Sequence, residues 1–154
     1  MSLYAVLKYV HVLSAIAAFG ANITYALWLT RAEKNPESLA FTLRTVKIMD
    51  DWIANPAYVL LFPTGWWLAS IAGWPLTMPW ILAALILYAV VSVVGLAIYS
   101  PTLKKQIAIA ESAGPVSSEY KKVSFRSNAI GITLNILVLI VIYLMVAKPV
   151  LWGG

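Results

Sequence analysis

The sequence holds a single histidine, His11, one helical turn after Lys8 and inside the apolar run 3–29. That run is long enough to cross a bilayer, for which about 20 residues suffice. An ionisable side chain in such a segment marks a candidate functional site. A neutral imidazole held between helices is a natural axial ligand for haem iron, which makes His11 the candidate metal ligand. The plainer reading is a histidine hydrogen-bonded to a neighbouring helix for packing alone. Lys8 has a plain reading too: its stem lies along apolar surface while its ammonium reaches the headgroups. At roughly 100° per residue, Tyr4, Lys8, His11, Ala15, Ala18, Asn22 and Ala26 fall on one stripe. Val6, Leu13, Ile16 and Leu27 fall on the reverse. An unpaired imidazole in hydrocarbon is costly, so the polar stripe is expected to face other helices and the aliphatic side lipid.

Tyr58 and Asn22 join His11 as candidate cofactor-binding residues, with the sixth iron position open or filled by Tyr58, a methionine or a second subunit. Tyr58 continues a face that begins at Lys47, Asp51 and Asn55. Lys47 and Asp51, four apart, read most simply as an ion pair on a helix surface, and a part in proton delivery is the sharper alternative for Asp51. Asn128 and Asn135 share a face seven residues apart and read as hydrogen-bond glue between helices. A histidine bonded to Tyr58, Asn135 or a backbone carbonyl is the expected packing outcome. No carboxylate pair, no His/Asp/Glu cluster and no Ser–His–Asp set lies in the apolar runs, so nothing supports metal-assisted hydrolysis or nucleophilic catalysis. With no cysteine in the chain, disulfides and thiolate chemistry are excluded within it.

These side chains need helices to carry them. Of 154 residues 62% are hydrophobic and only 11% charged, and mean hydropathy is +0.84. A soluble domain of this size could not hide that much apolar surface. Four runs of spanning length, about 3–29, 52–71, 80–99 and 128–147, predict an all-α integral membrane four-helix bundle forming a single domain over 1–154. The run 3–29 follows no basic leader or small-residue cleavage pattern and is expected to be retained. Asn35-Pro36-Glu37 is a helix start, with a capping side chain, proline at the first position and an acid near the positive end. The second helix is therefore expected to begin near Pro36, well ahead of its apolar part, and to bend at Pro56 and Pro63. The uncharged segment 72–79 predicts a tight turn, and a longer loop with Lys104, Lys105, Gly114-Pro115, Lys121, Lys122 and Arg126 follows the third span.

Charge sets the orientation. Arg31, Lys34, Arg44, Lys47, Lys104, Lys105, Lys121, Lys122 and Arg126 lie on one side, and only Lys8 and Lys148 on the other. Cytoplasmic loops carry the basic excess, so both long loops are expected inside and both termini outside. Trp66, Trp67, Trp74, Trp80 and Trp152 then form the outer aromatic belt, with Trp28 and Trp52 the inner one. His11 falls in the outer half of the bilayer, roughly 12 Å along its span at 1.5 Å per residue. The net charge of +5 is explained by these loops and anionic headgroups, not by nucleic acid.

Leu7-Lys-Tyr-Val-His11, Phe19-Gly20, Tyr25, Arg44, Asn55-Pro56-Ala57, Thr64-Gly65, Trp80, Asn128 and Val146-Ala-Lys148-Pro149 together resemble a bacterial family. It is that of the four-helix membrane protoporphyrinogen oxidases that contain haem b. The chain is similar as well to small bacterial membrane proteins of unknown function and to membrane proteins of the copper-resistance type. The resemblance implies that His11 ligates haem b. It implies a lysine one turn past Trp80, where this chain has Ala84, and a Tyr-x-Pro-Arg motif where Tyr25-Ala-Leu-Trp28 stands.

The expectation is a multi-pass protein of the bacterial cytoplasmic (inner) membrane that binds haem b through His11 and has a redox or electron-transfer role. Protoporphyrinogen oxidation is not expected, given Ala84. Two alternatives come from other classes: a non-enzymatic accessory or assembly subunit of a larger membrane complex, and a small transporter or metal-handling protein with Lys8, His11, Asn22, Asp51 and Asn135 along its path. The expected partners are the lipid bilayer and either further copies of the chain or a larger complex.

Overall fold

A computed structural model describes residues 2–152, whose regular structure is all helical, with no strand among them. The helices are α1 (Leu3–Ala32), α2 (Pro36–Met49), α3 (Asn55–Ile71), α4 (Pro79–Val94), α5 (Ser100–Ser112) and α6 (Ser118–Ala147). Two π-turns, Asp50–Ala54 and Gly95–Tyr99, join α2 to α3 and α4 to α5 without a break. The result is four long rods, 3–32, 36–71, 79–112 and 118–147, running alternately up and down.

Local sequence explains most of the boundaries. Ser2 Oγ accepts from the Ala5 N–H at 3.3 Å, and Ser117 Oγ from the Tyr120 N–H at 3.2 Å, capping α1 and α6. The second rod starts at Pro36, as its Asn-Pro-Glu motif predicts, but the Asn35 side chain makes no capping bond. With ψ at 91°, Asn35 does not hold its amide over the first turn. Gly73, at φ +68°, supplies the left-handed residue that reverses the chain between α3 and α4.

The third rod departs from expectation. Residues after Tyr99 form helix α5 and not a loop. Pro101 would normally end the helix, but the Ser100 N–H reaches back five residues to the Gly95 carbonyl, and the widened turn absorbs the missing donor. Asn55-Pro56 repeats the device, with the Asn55 N–H on the Asp50 carbonyl. Leu103, Gln106 and Ile109 then give α5 a buried stripe.

The main core lies at the end remote from the termini, where Leu29, Ala32, Leu39, Leu43, Val46, Leu103, Ile109 and Tyr120 pack together. A smaller cluster of Ala69, Trp80 and Ile81 lies near the terminal end, where Lys148 Nζ is 4.2 Å above the Trp74 ring. Between them the outward side chains are largely apolar. Among the described residues three helices are long and apolar enough to cross a membrane: Leu3–Ala32, Pro79–Ser112 and Ser118–Ala147. The rod 36–71 is less apolar because Asn55, Pro56, Pro63, Thr64 and Gly65 dilute its second half.

On α1, Val6, Leu13, Ile16 and Leu27 are exposed, as the pattern predicts. The buried stripe is Ser14, Ala18, Ala21, Tyr25, Leu29 and Ala32, so Lys8 and Ala26 point outward. The predicted stripe is thus slightly out of phase. The large side chains Tyr25 and Leu29 gain more from burial than Asn22 and Ala26, and they set the helix rotation.

Candidate functional site

His11 leaves α1 toward α3. Its Nδ1 lies 2.9 Å from Thr64 Oγ1. That hydroxyl is buried and donates to the Leu60 carbonyl at 2.6 Å, so its one proton is committed. It therefore accepts from the ring, which fixes the Nδ1–H tautomer and leaves the lone pair on Nε2. The same hydroxyl also lies 3.3 Å from the Leu61 carbonyl. The next residue, Gly65, makes room for the imidazole, since a Cβ there would stand 3.0 Å from His11 Cε1.

Asn22 and Tyr58 do meet, but away from His11. Asn22 Nδ2 donates to the Ala18 carbonyl at 2.8 Å and reaches Tyr58 Oη at 3.4 Å. Tyr88 Oη donates to the Tyr58 carbonyl at 2.9 Å, tying α4 to α3. Eleven residues separate His11 from Asn22, about 16 Å along the helix. The three candidate cofactor residues thus occupy two levels of the bundle. Asn135 is not interhelical glue through its amide nitrogen, which bonds the Gly131 carbonyl of its own helix at 2.9 Å. Its Oδ1 is buried and unpartnered. Asn128 lines a cavity of about 360 Å³ with Glu33, Tyr120 and Ser124.

A third level was not anticipated. Asp50 opens the first π-turn and is only 6% exposed. Lys47 is buried as well; it bonds Asp51 and stands 3.9 Å from Asp50 Oδ2. The surface pair expected at Lys47 and Asp51 is therefore a partly buried triad. Tyr25 and Tyr99 are buried in the same cluster as Ala54, with Tyr58 packed against it. Among the described residues no three of His, Asp and Glu converge as a metal site would need.

A family model described as "Predicted integral membrane protein (DUF2269)" matches residues 5–149. The chain belongs to this family. No curated protein and no solved structure is a match for it. The DUF2269 match agrees with the three apolar helices of spanning length and makes the chain an integral membrane protein.

In this DUF2269 protein the sequence clue to the missed level was phase. Tyr25 lies fourteen residues past His11, four turns on the same face, and Asp50 precedes one of two X-Pro steps that follow π-turns. Burial pushes the Asp50 carboxyl above the usual carboxylate range, against the pull of Lys47. An acid raised in the folded state binds its proton more tightly there than in the unfolded chain. Its contribution to stability is thus full below the unfolded value and is lost as pH rises through the folded one. Asp50→Asn is expected to flatten the stability profile of the detergent-solubilised protein over that window. Thermal melts whose pH dependence is the same with and without the substitution would contradict this.

Proposed function

We propose that this protein is a four-span bundle of the bacterial inner membrane that binds haem b through His11 Nε2 and serves a redox or electron-transfer role. The observation that carries the reading is the chain from His11 Nδ1–H to Thr64 Oγ1 to the Leu60 carbonyl. Such a partner fixes the tautomer of a metal-ligating histidine, orients its ring and raises the basicity of the free nitrogen. The donor chemistry fits the group in that His11 Nε2 would supply one nitrogen ligand to its iron. With one histidine and no cysteine in the chain, the sixth position would be open or filled by Tyr58, a methionine or a second subunit. When bound, the haem supplies a one-electron couple; the chain contributes the ligand, its orientation and an apolar surround.

The orientation supports the reading as well. Nine basic residues to two put the end with Leu39, Leu43 and Leu103 in the cytoplasm and both termini outside. That end carries exposed ion pairs, Arg44 with Glu111 at 2.7 Å and Lys105 with Glu119 at 3.9 Å, as a surface in water should. A reporter fused to the carboxyl terminus is expected to be active only outside the cytoplasm, and activity only inside would reverse the topology. The reading stops short of protoporphyrinogen oxidation, because Ala84 is buried in α4 and that helix has no basic side chain.

The optical spectrum of the purified protein is the test. A Soret band is expected, lost in His11→Ala and shifted in Thr64→Val, with helix content unchanged. A haem spectrum that survives His11→Ala would overturn the assignment. One observation favours an accessory role instead: Phe41, Ile48 and Trp52 form a largely exposed apolar stripe on the second rod. A colourless protein that co-purifies with a partner through that stripe would support that reading.

A further inference from the structure

The level of Asp50 draws on α1, α2, both π-turns and α3, and the His11 reading makes no use of it. Asp50 is nine-tenths buried, and the charged groups acting on it are Lys47 and Asp51. Lys47 is bonded to Asp51 and stands 3.9 Å from Asp50, so one ammonium faces two carboxylates. One negative charge in that triad has no counter-charge. Burying an unpaired carboxylate is so costly that such groups take up a proton instead. The second observation is independent. Tyr25, 3% exposed, has a hydroxyl with no hydrogen-bond partner, it packs in the same cluster as Ala54 of the first π-turn, and Asp50 is the charge that acts on it most strongly. Tyr58 from α3 and Tyr99 from the second π-turn also lie within reach of the Asp50 charge. An orphaned buried hydroxyl on the same level as a buried carboxyl calls for an explanation, and a shared proton supplies one.

We propose that Asp50 is a proton-binding site at the inner end of the bundle, protonated at neutral pH and bonded to Tyr25, and that it exchanges its proton with the cytoplasm. The transfer is simple in balance. A hydronium ion gives its proton to an Asp50 oxygen and leaves as water, and the Asp50 O–H then donates to Tyr25 Oη. Release reverses both steps. The level holds one carboxyl group, three phenols that can each accept as well as donate, and no cation of its own free for Asp50, which suits a proton as the occupant. Lys47 bonds Asp51, which is about half exposed, whereas Asp50 is buried, so the two adjacent carboxyl groups sit in different surroundings. Nothing in this assignment depends on what His11 binds.

The test is the infrared spectrum of the whole protein in detergent and in liposomes, titrated through neutral pH. A carbonyl-stretch band of a protonated carboxylic acid is expected at pH 7, sensitive to deuterium exchange and lost in Asp50→Asn. Asp51→Asn should leave it in place. Tyr25→Phe should shift the band upward in frequency without abolishing it, a change that a purely structural tyrosine would not produce. If Asp50→Asn fails to fold, the Tyr25→Phe shift still decides. Absence of the band at neutral pH, its persistence in Asp50→Asn, or no shift in Tyr25→Phe would each overturn the proposal. Loss of the band on adding sodium at constant pH would assign the site to a metal cation and overturn it too.

Discussion

Leu43→Ala is expected to cost about 2–5 kcal/mol, more than any substitution on the aliphatic flanks of the bundle. Leu43 is fully buried, and so are its neighbours Leu39, Val46 and Leu103. Truncation there leaves a cavity that four packed helices cannot close. The size of the effect depends on where the core lies. At the end remote from the termini, apolar side chains have water as their alternative, and burial is driven by the hydrophobic effect. Between apolar helices in lipid that drive is absent, and packing of small residues such as Ala18 and Ala21 takes its place. Ile16, 63% exposed on the outward face of α1, is the control. Ile16→Ala is expected to change stability by no more than about 0.5 kcal/mol. Reversible unfolding of the detergent-solubilised variants, followed by circular dichroism, measures both. Equal costs at the two positions would show that the remote end is not the core.

Much of this architecture is legible in the chain itself. The helix start at Pro36, the tight turn at Gly73 and the outward face of Val6, Leu13, Ile16 and Leu27 all follow from residue type and period. Helix α5 does not, because Ser100-Pro101 and the basic pair Lys104-Lys105 look like a loop after an apolar run. Only the π-turn ahead of Pro101 lets the helix pass, and a π-turn has no strong sequence signature. The same feature breaks the face drawn through Tyr58. An α-helical wheel carried from Lys47 through Asp51 to Tyr58 assumes one unbroken phase. The extra residue in the first π-turn shifts everything after it by about 100° relative to α2, and within α2's own phase it is Asp50, next to buried Lys47, that faces inward while Asp51 stays exposed. The inward direction of His11 was readable from its stripe. Its partner was not, because a threonine in a helix commonly bonds the carbonyl four residues back, and Thr64 does so. The second role of that hydroxyl, as acceptor for the imidazole, exists only once α1 and α3 are paired.

Gly65→Ala is expected to destabilise the protein by about 1–3 kcal/mol, against the ordinary preference of helices for alanine. Mid-helix, replacing glycine by alanine typically gains about 0.5–1 kcal/mol, because glycine loses more backbone freedom on folding. Here the new methyl would stand 3.0 Å from His11 Cε1, 3.6 Å from Nδ1 and 3.9 Å from Nε2. A flexible side chain could swing aside, but the imidazole is rigid and its Nδ1 is tied to Thr64 at 2.9 Å, on the residue next to Gly65. To relieve the contact the ring must break that bond, or α1 and α3 must move apart. Either outcome also frees the tautomer and disturbs any ligand held at Nε2, so a Soret band should shift or weaken along with stability. His11→Ala removes the obstacle. In that background the same Gly65→Ala substitution is expected to be neutral or stabilising by up to about 1 kcal/mol, a reversal of sign. The double-mutant cycle therefore reads the contact directly as a coupling energy, free of helix propensity, which cancels between the two backgrounds. If Gly65→Ala costs the same with and without His11, the imidazole does not rest on Gly65, and the site built around it falls.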